Sequence, residues 1–190
     1  ELTPTERAAM FRFTFPENEH SYVVVDAFDK ASSVKIDVAN RRITGYSTRN
    51  SGGVPDNFRN YFVIEFDKAF TYKAVVDNKT LIAESTETTS AHAGAIIGFS
   101  TKKGETVHAR VASSFISEEQ ALQNLKELDD DTFDALVEKG KDAWNDVLGR
   151  VEVEGGDLDK YRTFYSCLYR SLLFPRKLYE VDASGAIVHY

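Results

Sequence analysis

The chain has 190 residues, the length of one ordinary domain or of a small domain joined to part of a second. Its 42% of apolar and 28% of charged residues are typical of a globular protein with a buried core, which excludes disorder as the main architecture. Its 30 acidic and 23 basic residues give a net charge of −7, which argues against nucleic acid as a partner, and no apolar run approaches the roughly 20 residues of a membrane-spanning helix.

Residues 10–115 carry almost entirely β signals. Phe11, Phe13 and Phe15 alternate with polar residues, which predicts a strand with one buried face, and Gly45 predicts a β-bulge in a later strand. Further strands are predicted over residues 22–27, 34–38, 42–49, 61–66, 69–76, 91–100 and 105–115, with a loop over 50–57 and a tight turn over 77–79. Strands about ten residues apart, with no helical period between them, predict an antiparallel β-sandwich; a closed barrel is the alternative.

At Ser117 the apolar period changes from about 2 to about 3.6 residues, which marks the start of a helical region. Ser117 and Gln120 predict a capping box, and the first helix is expected to end at the aspartates of residues 129–131. A second helix is predicted over residues 132–148, with Gly149 as its C-terminal stop.

The third predicted helix begins after its N-cap Asp157 and ends at Pro175. It carries the widest apolar stripe in the chain, formed by Leu158, Tyr161, Phe164, Tyr165, Leu168, Tyr169, Leu172 and Leu173. No other segment offers a helical surface of matching width, so we expect its partner helices to follow Tyr190; packing on the sandwich is the alternative. The beginning at Glu1 and the strand-like residues 185–190 lead us to expect a piece of a longer protein.

A search for catalytic motifs finds no nucleophile elbow, phosphate-binding loop, dinucleotide fingerprint or zinc-binding histidine pair. The acidic run at residues 129–131 is predicted to be a solvated turn rather than a calcium site. Cys167 is predicted to be a buried, inert thiol, and Asn78 begins an N-glycosylation triplet. The remaining polar candidates are expected to be structural or solvated, namely His20, His92, His108, His189, Glu118, Glu119, Glu152 and Glu154. The residues by themselves therefore identify no catalytic residue, metal ligand or substrate-binding residue.

A non-catalytic module that binds carbohydrate or a partner protein is an alternative from another class. Such a module needs aromatic rings that face solvent, whereas most aromatic residues here fall on alternating or helical core positions. Tyr46, Phe58 and Tyr61, around the loop at residues 50–57, are the candidates for such a platform. A scaffold domain without a ligand is the third alternative.

Several stretches together carry a family resemblance. They are TERAAMFRFTFP at residues 5–16, NYFVIEFDKAF at residues 60–70, WN at residues 144–145, VEVEG at residues 151–155, YRTFYSCLYRSLLFPR at residues 161–176 and YEVD at residues 179–182. In this order, and over essentially the whole chain, they resemble the α-mannosidases of glycoside hydrolase family 92. Ala69 departs from the proline expected there, at a strand end where the change affects nothing functional.

The resemblance implies a mainly β fold with helices at its C-terminal end, in which a β-sandwich is joined by linker helices to an (α/α)6 barrel. Residues 1–116 would be part of the N-terminal sandwich domain, residues 117–149 a helical linker, and residues 150–190 the beginning of the helical catalytic domain. The change of period at Ser117 and the unpartnered stripe of the third helix agree with this division. The remainder of the same polypeptide would then be the partner of this chain.

The resemblance also implies an inverting, calcium-dependent exo-α-mannosidase of α-1,2 type, which acts on mannans or N-glycans and is exported to a bacterial periplasm or cell surface. Inversion requires a glutamate acid and an aspartate base about 6.5–9.5 Å apart. These residues and the calcium ligands belong to parts of the barrel after Tyr190, so none is assigned here and the chain alone is expected to be inactive. Arg170 and Arg176 are candidates to face the substrate pocket, with ordinary ion pairing as the alternative.

Overall fold

The computed structural model describes residues 1–173 and 177–190, which form two β-sheets, three α-helices and a C-terminal hairpin. The strands are β1 Leu2–Pro4, β2 Ala8–Phe15, β3 Asn18–Asp26, β4 Ser32–Asp37, β5 Arg42–Ser47, β6 Asn60–Phe66, β7 Tyr72–Asp77, β8 Thr80–Ala83, β9 Glu87–Ser90, β10 Ala93–Thr101, β11 Glu105–Ser114, β12 Glu180–Val181 and β13 Ile187–Val188. The helices are α1 Glu118–Asn124, α2 Phe133–Leu148 and α3 Leu158–Ser171, with a 3-10 turn at Leu125–Leu128 after α1.

The first eleven strands form two antiparallel sheets that pack face to face, so the predicted sandwich is confirmed. The larger sheet has the strand order β1-β2-β11-β6-β5-β4-β9, and the smaller sheet has the order β3-β10-β7-β8. Ile97, Phe99 and Val75 of the smaller sheet meet Ile43 and Val107 of the larger sheet in a fully buried core. Burial of each large apolar side chain contributes about 1.5–3 kcal/mol to folding.

Part of the larger sheet is apolar on both faces, and α1 and α2 cover its outer side there. Phe11, Phe13 and Phe15 of β2 pack on the core between the sheets, as their alternation predicts. Met10, on the opposite face of the same strand, packs beneath the helices. This second core contains Ala8, Met10, Val63, Ala112, Ala121, Leu125, Leu128, Phe133 and Leu136.

Four short strands have no counterpart in the sequence prediction, and one glycine has a different role. β1, β8, β9 and β12 are only 2 to 4 residues long, too short for an alternating pattern to stand out. The bulge predicted at Gly45 is wrong, because β5 keeps a regular register with both neighbouring strands. An irregular register occurs instead in β10, between Phe99 and Thr101.

The three predicted helices are confirmed, and each begins at a side-chain cap. Ser117 Oγ accepts the Gln120 N–H at 3.1 Å, and Thr132 and Asp157 cap α2 and α3 in the same way. The second half of the predicted capping box is wrong, because the Gln120 side chain does not return to Ser117. It donates to the Val181 carbonyl at 2.8 Å, a contact with the C-terminal hairpin.

Helix α3 lies away from the sandwich. None of its residues is buried, and Leu158 is 62% exposed. It meets α2 through Trp144 and Tyr169, whose ring centroids are 4.5 Å apart. The alternative in which the apolar stripe packs on the sandwich is therefore wrong. Pro175, the predicted end of the helix, lies outside the described residues.

Candidate functional site

The polar candidates found in the sequence are dispersed over the molecule. His92 and His108 form separate pairs with Asp26 and Asp67, at 2.6 Å and 2.7 Å between nitrogen and oxygen. The aspartates of residues 129–131 form a turn, as predicted, in which Asp131 pairs with a lysine of α2. Within residues 1–173 and 177–190, no three histidine, cysteine or carboxylate side chains come together in a way that could hold a metal ion. These residues therefore offer no fit for calcium, and we derive no chemical step through it.

Two further candidates lie on α3. The prediction of a buried thiol at Cys167 is wrong. The side chain is exposed, because no other segment of the described residues covers this part of α3. Arg170 is exposed in the last turn of the same helix, where its charge is favourable at the helix C-terminus. Arg176 lies outside the described residues.

The aromatic residues around the loop at residues 50–57 pack on one another rather than forming an open platform. Tyr46 and Tyr61 are half-buried and meet edge to face, with ring centroids 6.1 Å apart. Phe58 lies 5.6 Å from Phe115 and 6.1 Å from Tyr190, also between ring centroids. The loop is thus tied to the C-terminal end of the chain. Sequence periodicity could not identify the partners of Phe58, because they lie more than fifty residues away along the chain.

A cleft of about 270 Å³ lies between the sandwich and the C-terminal hairpin β12–β13. Arg7 lies on its sandwich side, where its guanidinium pairs with Glu127 at 2.9 Å and donates to the Tyr179 carbonyl at 3.0 Å. Burial acts to lower the pKa of Arg7, but the hydrogen bond to Glu127 and the nearby carboxylates outweigh it and the pKa is raised. The guanidinium is consequently a permanent positive charge in this cleft.

A larger groove, of about 850 Å³, follows the outer face of the larger sheet beside the start of α2. Arg12 spans it, pairing with Glu1 at 2.7 Å and with Asp134 at 2.9 Å while its guanidinium lies 4.2 Å from the Phe133 ring centroid. His108 and Asp67 form another pair on this surface. Because these charges neutralise one another, we interpret the ion pairs of the groove as structural rather than catalytic.

The cleft between sandwich and hairpin is the candidate functional region, because the rings of Phe115, Tyr179 and Tyr190 line it and suit contact with a hydroxyl-rich ligand. As in the larger groove, the guanidinium here is paired with carboxylates, those of Glu6 and Glu127. No acid or base is assigned in it. In the described part of the chain, no helix has both the length and the apolarity needed to cross a membrane.

Comparisons with known proteins place both parts of the chain in one family. Residues 1–114 match the model of the glycosyl hydrolase family 92 N-terminal domain, and residues 120–190 match the model of that family's catalytic domain. An inverting mannosidase of family GH92 from Bacteroides thetaiotaomicron is 44% identical, with a TM-score of 0.96 over 100% of this chain and 26% of that one.

Two other relatives are similar to this chain over nearly all of its length. A family GH92 α-mannosidase from the same organism is 28% identical, with a TM-score of 0.84 over 100% of this chain and 27% of that one. A secreted glycosidase of uncharacterised activity from Arthroderma benhamiae is 26% identical over 93% of this chain and 26% of its own length. The chain thus spans about a quarter of the length of the relatives it matches. With its N-terminal and catalytic regions both matched in order, the chain belongs to glycosyl hydrolase family 92.

Proposed function

We propose that this chain is the junction between the sandwich and the helical barrel of an inverting exo-α-mannosidase. The observation that carries the proposal is its likeness, at 44% identity and a TM-score of 0.96, to an inverting mannosidase over the entire chain. Residues 1–116 then belong to the sandwich domain, residues 117–149 to a helical linker, and residues 150–190 to the beginning of the catalytic domain. The matches to the two domain models, at residues 1–114 and 120–190, support the first of these boundaries, and the catalytic-domain model also includes residues 120–149 of the linker.

The catalytic chemistry lies outside the chain in this proposal. A glutamate acid and an aspartate base on the barrel act on opposite faces of the mannose ring, far enough apart for a water molecule between them. Residues of the barrel, outside this chain, would hold calcium, which would supply a positive charge for the sugar hydroxyls. The residues of this chain contribute a wall of the substrate cleft and the correct placement of the barrel. The chain by itself is inactive.

The substrates we propose are α-1,2-linked mannosides at the ends of mannans or N-glycans, and the protein acts after export from a bacterial cell. The mannosidase relatives support the sugar, and the secreted relative supports export. The net charge of −7 is compatible with a neutral glycan as substrate.

The test is hydrolysis of mannobioses by the longer protein that carries this chain. We expect release of mannose, faster from the α-1,2-linked disaccharide than from the α-1,3-, α-1,4- and α-1,6-linked ones, loss of activity with a chelator and recovery with calcium. The anomer released first, followed by proton NMR, should have inverted configuration. An inert longer protein would reject the proposal, and activity that survives the chelator would reject the calcium requirement.

A glycan-binding surface is the second candidate function, and one observation favours it. On the outer face of the smaller sheet, Tyr22 is 46% exposed and its ring centroid lies 5.6 Å from that of Tyr72. The His20 ring lies parallel to Tyr22 at 6.5 Å. Gly98 lies between the two tyrosines, where a Cβ atom would approach Tyr72 Cβ to 2.8 Å, so the glycine makes room for both side chains.

The second candidate is tested by electrophoresis of the chain through gels that contain mannan. If the surface binds glycan, mannan should retard the chain, and Tyr22→Ala should abolish the retardation. Tyr46→Ala, at the half-buried pair with Tyr61, is the matched control and should leave it unchanged. Migration that mannan does not affect would exclude this function.

A further inference from the structure

A group of buried polar side chains lies where the hairpin β12–β13 meets the sandwich. Ser114, Gln120, Asn124 and Glu180 are all buried there. Glu180 is the only buried carboxylate residue in the described part of the chain, with 8% of its surface exposed. Burial of a carboxylate is costly unless hydrogen bonds replace its water, so the contacts of Glu180 need a specific explanation.

The Glu180 carboxylate joins the end of β11 to α1. Its Oε1 accepts the Phe115 N–H at 2.9 Å, and its Oε2 accepts from Asn124 Nδ2 at 2.6 Å. The Asn124 amide also donates to the Ser113 carbonyl at 2.8 Å. Gln120 Nε2 completes the network by donating to Asn124 Oδ1 at 3.0 Å and to the Val181 carbonyl at 2.8 Å.

A hydrogen bond and an ion pair from the start of the sandwich hold the residues that lead into the same hairpin. Arg7 donates to the Tyr179 carbonyl at 3.0 Å, and Lys177 pairs with Glu6 at 2.5 Å. Between the linker and this hairpin, α3 runs with no buried residue. After α1 and α2, the hairpin is therefore a second place where the region that matches the catalytic domain contacts the sandwich.

We propose that Glu180 is a positioning residue that fixes the orientation of the catalytic region on the sandwich. Apolar contacts tolerate sliding, whereas this carboxylate receives two directed hydrogen bonds from segments on either side of the domain boundary. The inference rests on the proposed function in one respect. If the sandwich forms a wall of the substrate cleft while acid and base both lie on the barrel, a loosened hairpin weakens substrate binding and leaves the chemical step intact.

Glu180→Gln is the decisive variant because it changes almost nothing in size. Each carboxylate oxygen faces an N–H donor, so the amide nitrogen of glutamine meets one of those donors and cannot pair with it. Glu154→Gln makes the same chemical change at an exposed position between α2 and α3 and serves as the matched control. Asn124→Ala, which removes the donor to Oε2, is a second variant should the first fail to fold.

The first experiment measures orientation and is independent of any enzymatic activity. Spin labels are attached to Lys103→Cys in the β10–β11 turn and to Ala183→Cys, an exposed position of the hairpin turn, in a Cys167→Ser background. We expect a single narrow distance distribution for the parent and for Glu154→Gln, and a broader one with longer distances for Glu180→Gln and Asn124→Ala. A distribution that stays narrow in both variants would overturn the proposal.

The second experiment measures the kinetics of the longer protein on α-mannosides. We expect Glu180→Gln to raise KM by about fivefold or more, while kcat stays within about twofold and circular dichroism shows the protein folded. Equal KM values for parent and variant would overturn the positioning role. Absence of activity in the parent itself would instead reject the proposed function, which keeps the two failures distinguishable.

Discussion

Gly45 occupies a position in β5 where only a hydrogen atom fits. A Cβ atom there would lie 2.0 Å from the Ser33 carbonyl oxygen of the neighbouring strand and 2.8 Å from Cζ of Phe62. The first of these contacts is with backbone, which cannot move aside without breaking the β4–β5 ladder. Gly45 is thus required for close packing inside a regular sheet rather than for an unusual backbone angle.

Two glycine-to-alanine changes with opposite expected effects test this explanation. Gly45→Ala should lower the free energy of unfolding by about 2 kcal/mol or more, because the sheet must distort to admit a methyl group. Gly140→Ala is the control, since a Cβ atom at this position of α2 meets nothing within 4 Å. It should raise the same quantity by about 0.5–1 kcal/mol through helix propensity. Urea denaturation measures both, and equal effects of the two changes would contradict the explanation.

The turn of the C-terminal hairpin is organised by a single carboxylate. Asp182 accepts the Ser184 N–H at 2.8 Å, the Ser184 hydroxyl at 2.7 Å and the Ala186 N–H at 3.0 Å. These hydrogen bonds, that from the Ser184 side chain foremost, favour the ionised form and lower the pKa of Asp182 from its ordinary value of 3.8. A hairpin of two two-residue strands depends on such a turn, because its ladder is short.

Acid should therefore loosen the hairpin before the sandwich unfolds. Because the folded-state pKa of Asp182 lies below the unfolded-state value, its contribution to stability is present above pH 3.8 and is lost as the pH falls through the folded-state pKa. Carboxyl carbon shifts from NMR should show Asp182 titrating below pH 3.8, and the amides of Ser184 and Ala186 should lose their hydrogen-bonded shifts at the same midpoint. Asp182→Asn should lack this transition. A midpoint at or above 3.8 would contradict the role of the turn.

Helix α3 is an element whose sequence is suited to burial and whose surroundings leave it exposed. Leu158, Phe164 and Tyr169 of its stripe are 62%, 37% and 40% exposed. Contiguous apolar surface of this kind marks an interaction site. In the longer protein proposed above, the helices of the barrel would cover it.

The chain by itself should consequently bind hydrophobic dyes and self-associate. Replacing Leu158 and Phe164 together with glutamine should reduce dye fluorescence severalfold and shift sedimentation towards the monomer, because the variant removes apolar surface without touching either core. Leu81→Gln, at a 54% exposed position on β8, is the control for a general loss of surface apolarity and should have little effect. A parent chain that sediments as a monomer and binds no dye would show that the stripe has no affinity for apolar partners.

At the scale of the whole molecule, the chain is a sandwich with two cores and a polar junction. One core lies between the sheets, and the other lies between the larger sheet and the helices α1 and α2. The second core extends across the boundary between the two regions of family similarity, because Val63 and Ala112 belong to one and Leu125 and Leu136 to the other. Sandwich and linker should therefore unfold together.

The chain should show neither hydrolysis nor a response to calcium. Incubated with α-mannobioses, it should release no mannose, since the proposed acid and base lie on the barrel. Calcium or a chelator should leave its Tm unchanged, because residues 1–173 and 177–190 bring no ligand set together. NMR of the sugar measures hydrolysis, and calorimetry measures the Tm. Release of mannose, or a Tm that rises with calcium, would show that this chain holds part of the machinery itself.

Most of the fold can be predicted from the sequence, because the patterns that mark its strands and helices are local. Alternation at Phe11, Phe13 and Phe15 predicts the face of β2 that packs between the sheets, and the caps at Ser117 and Asp157 mark the starts of α1 and α3. Such patterns depend on neighbours within a few residues, so the chain itself displays them. The family is likewise recognisable from residues 5–16, 60–70 and 161–176, which have kept their order.

The sequence by itself thus determined the sandwich, the helices and the family, while the tertiary structure decided where the sites are. That Gly45 must be glycine, that Cys167 is exposed, and that Glu180 is buried against Phe115 and Asn124 all depend on residues far apart in the chain. Local periodicity carries no information about such contacts, because they arise only when distant segments pack. For the same reason no sequence motif marks the junction between sandwich and hairpin. Glu180 and the residues that bind it, Phe115 and Asn124, are more than fifty residues apart in the chain.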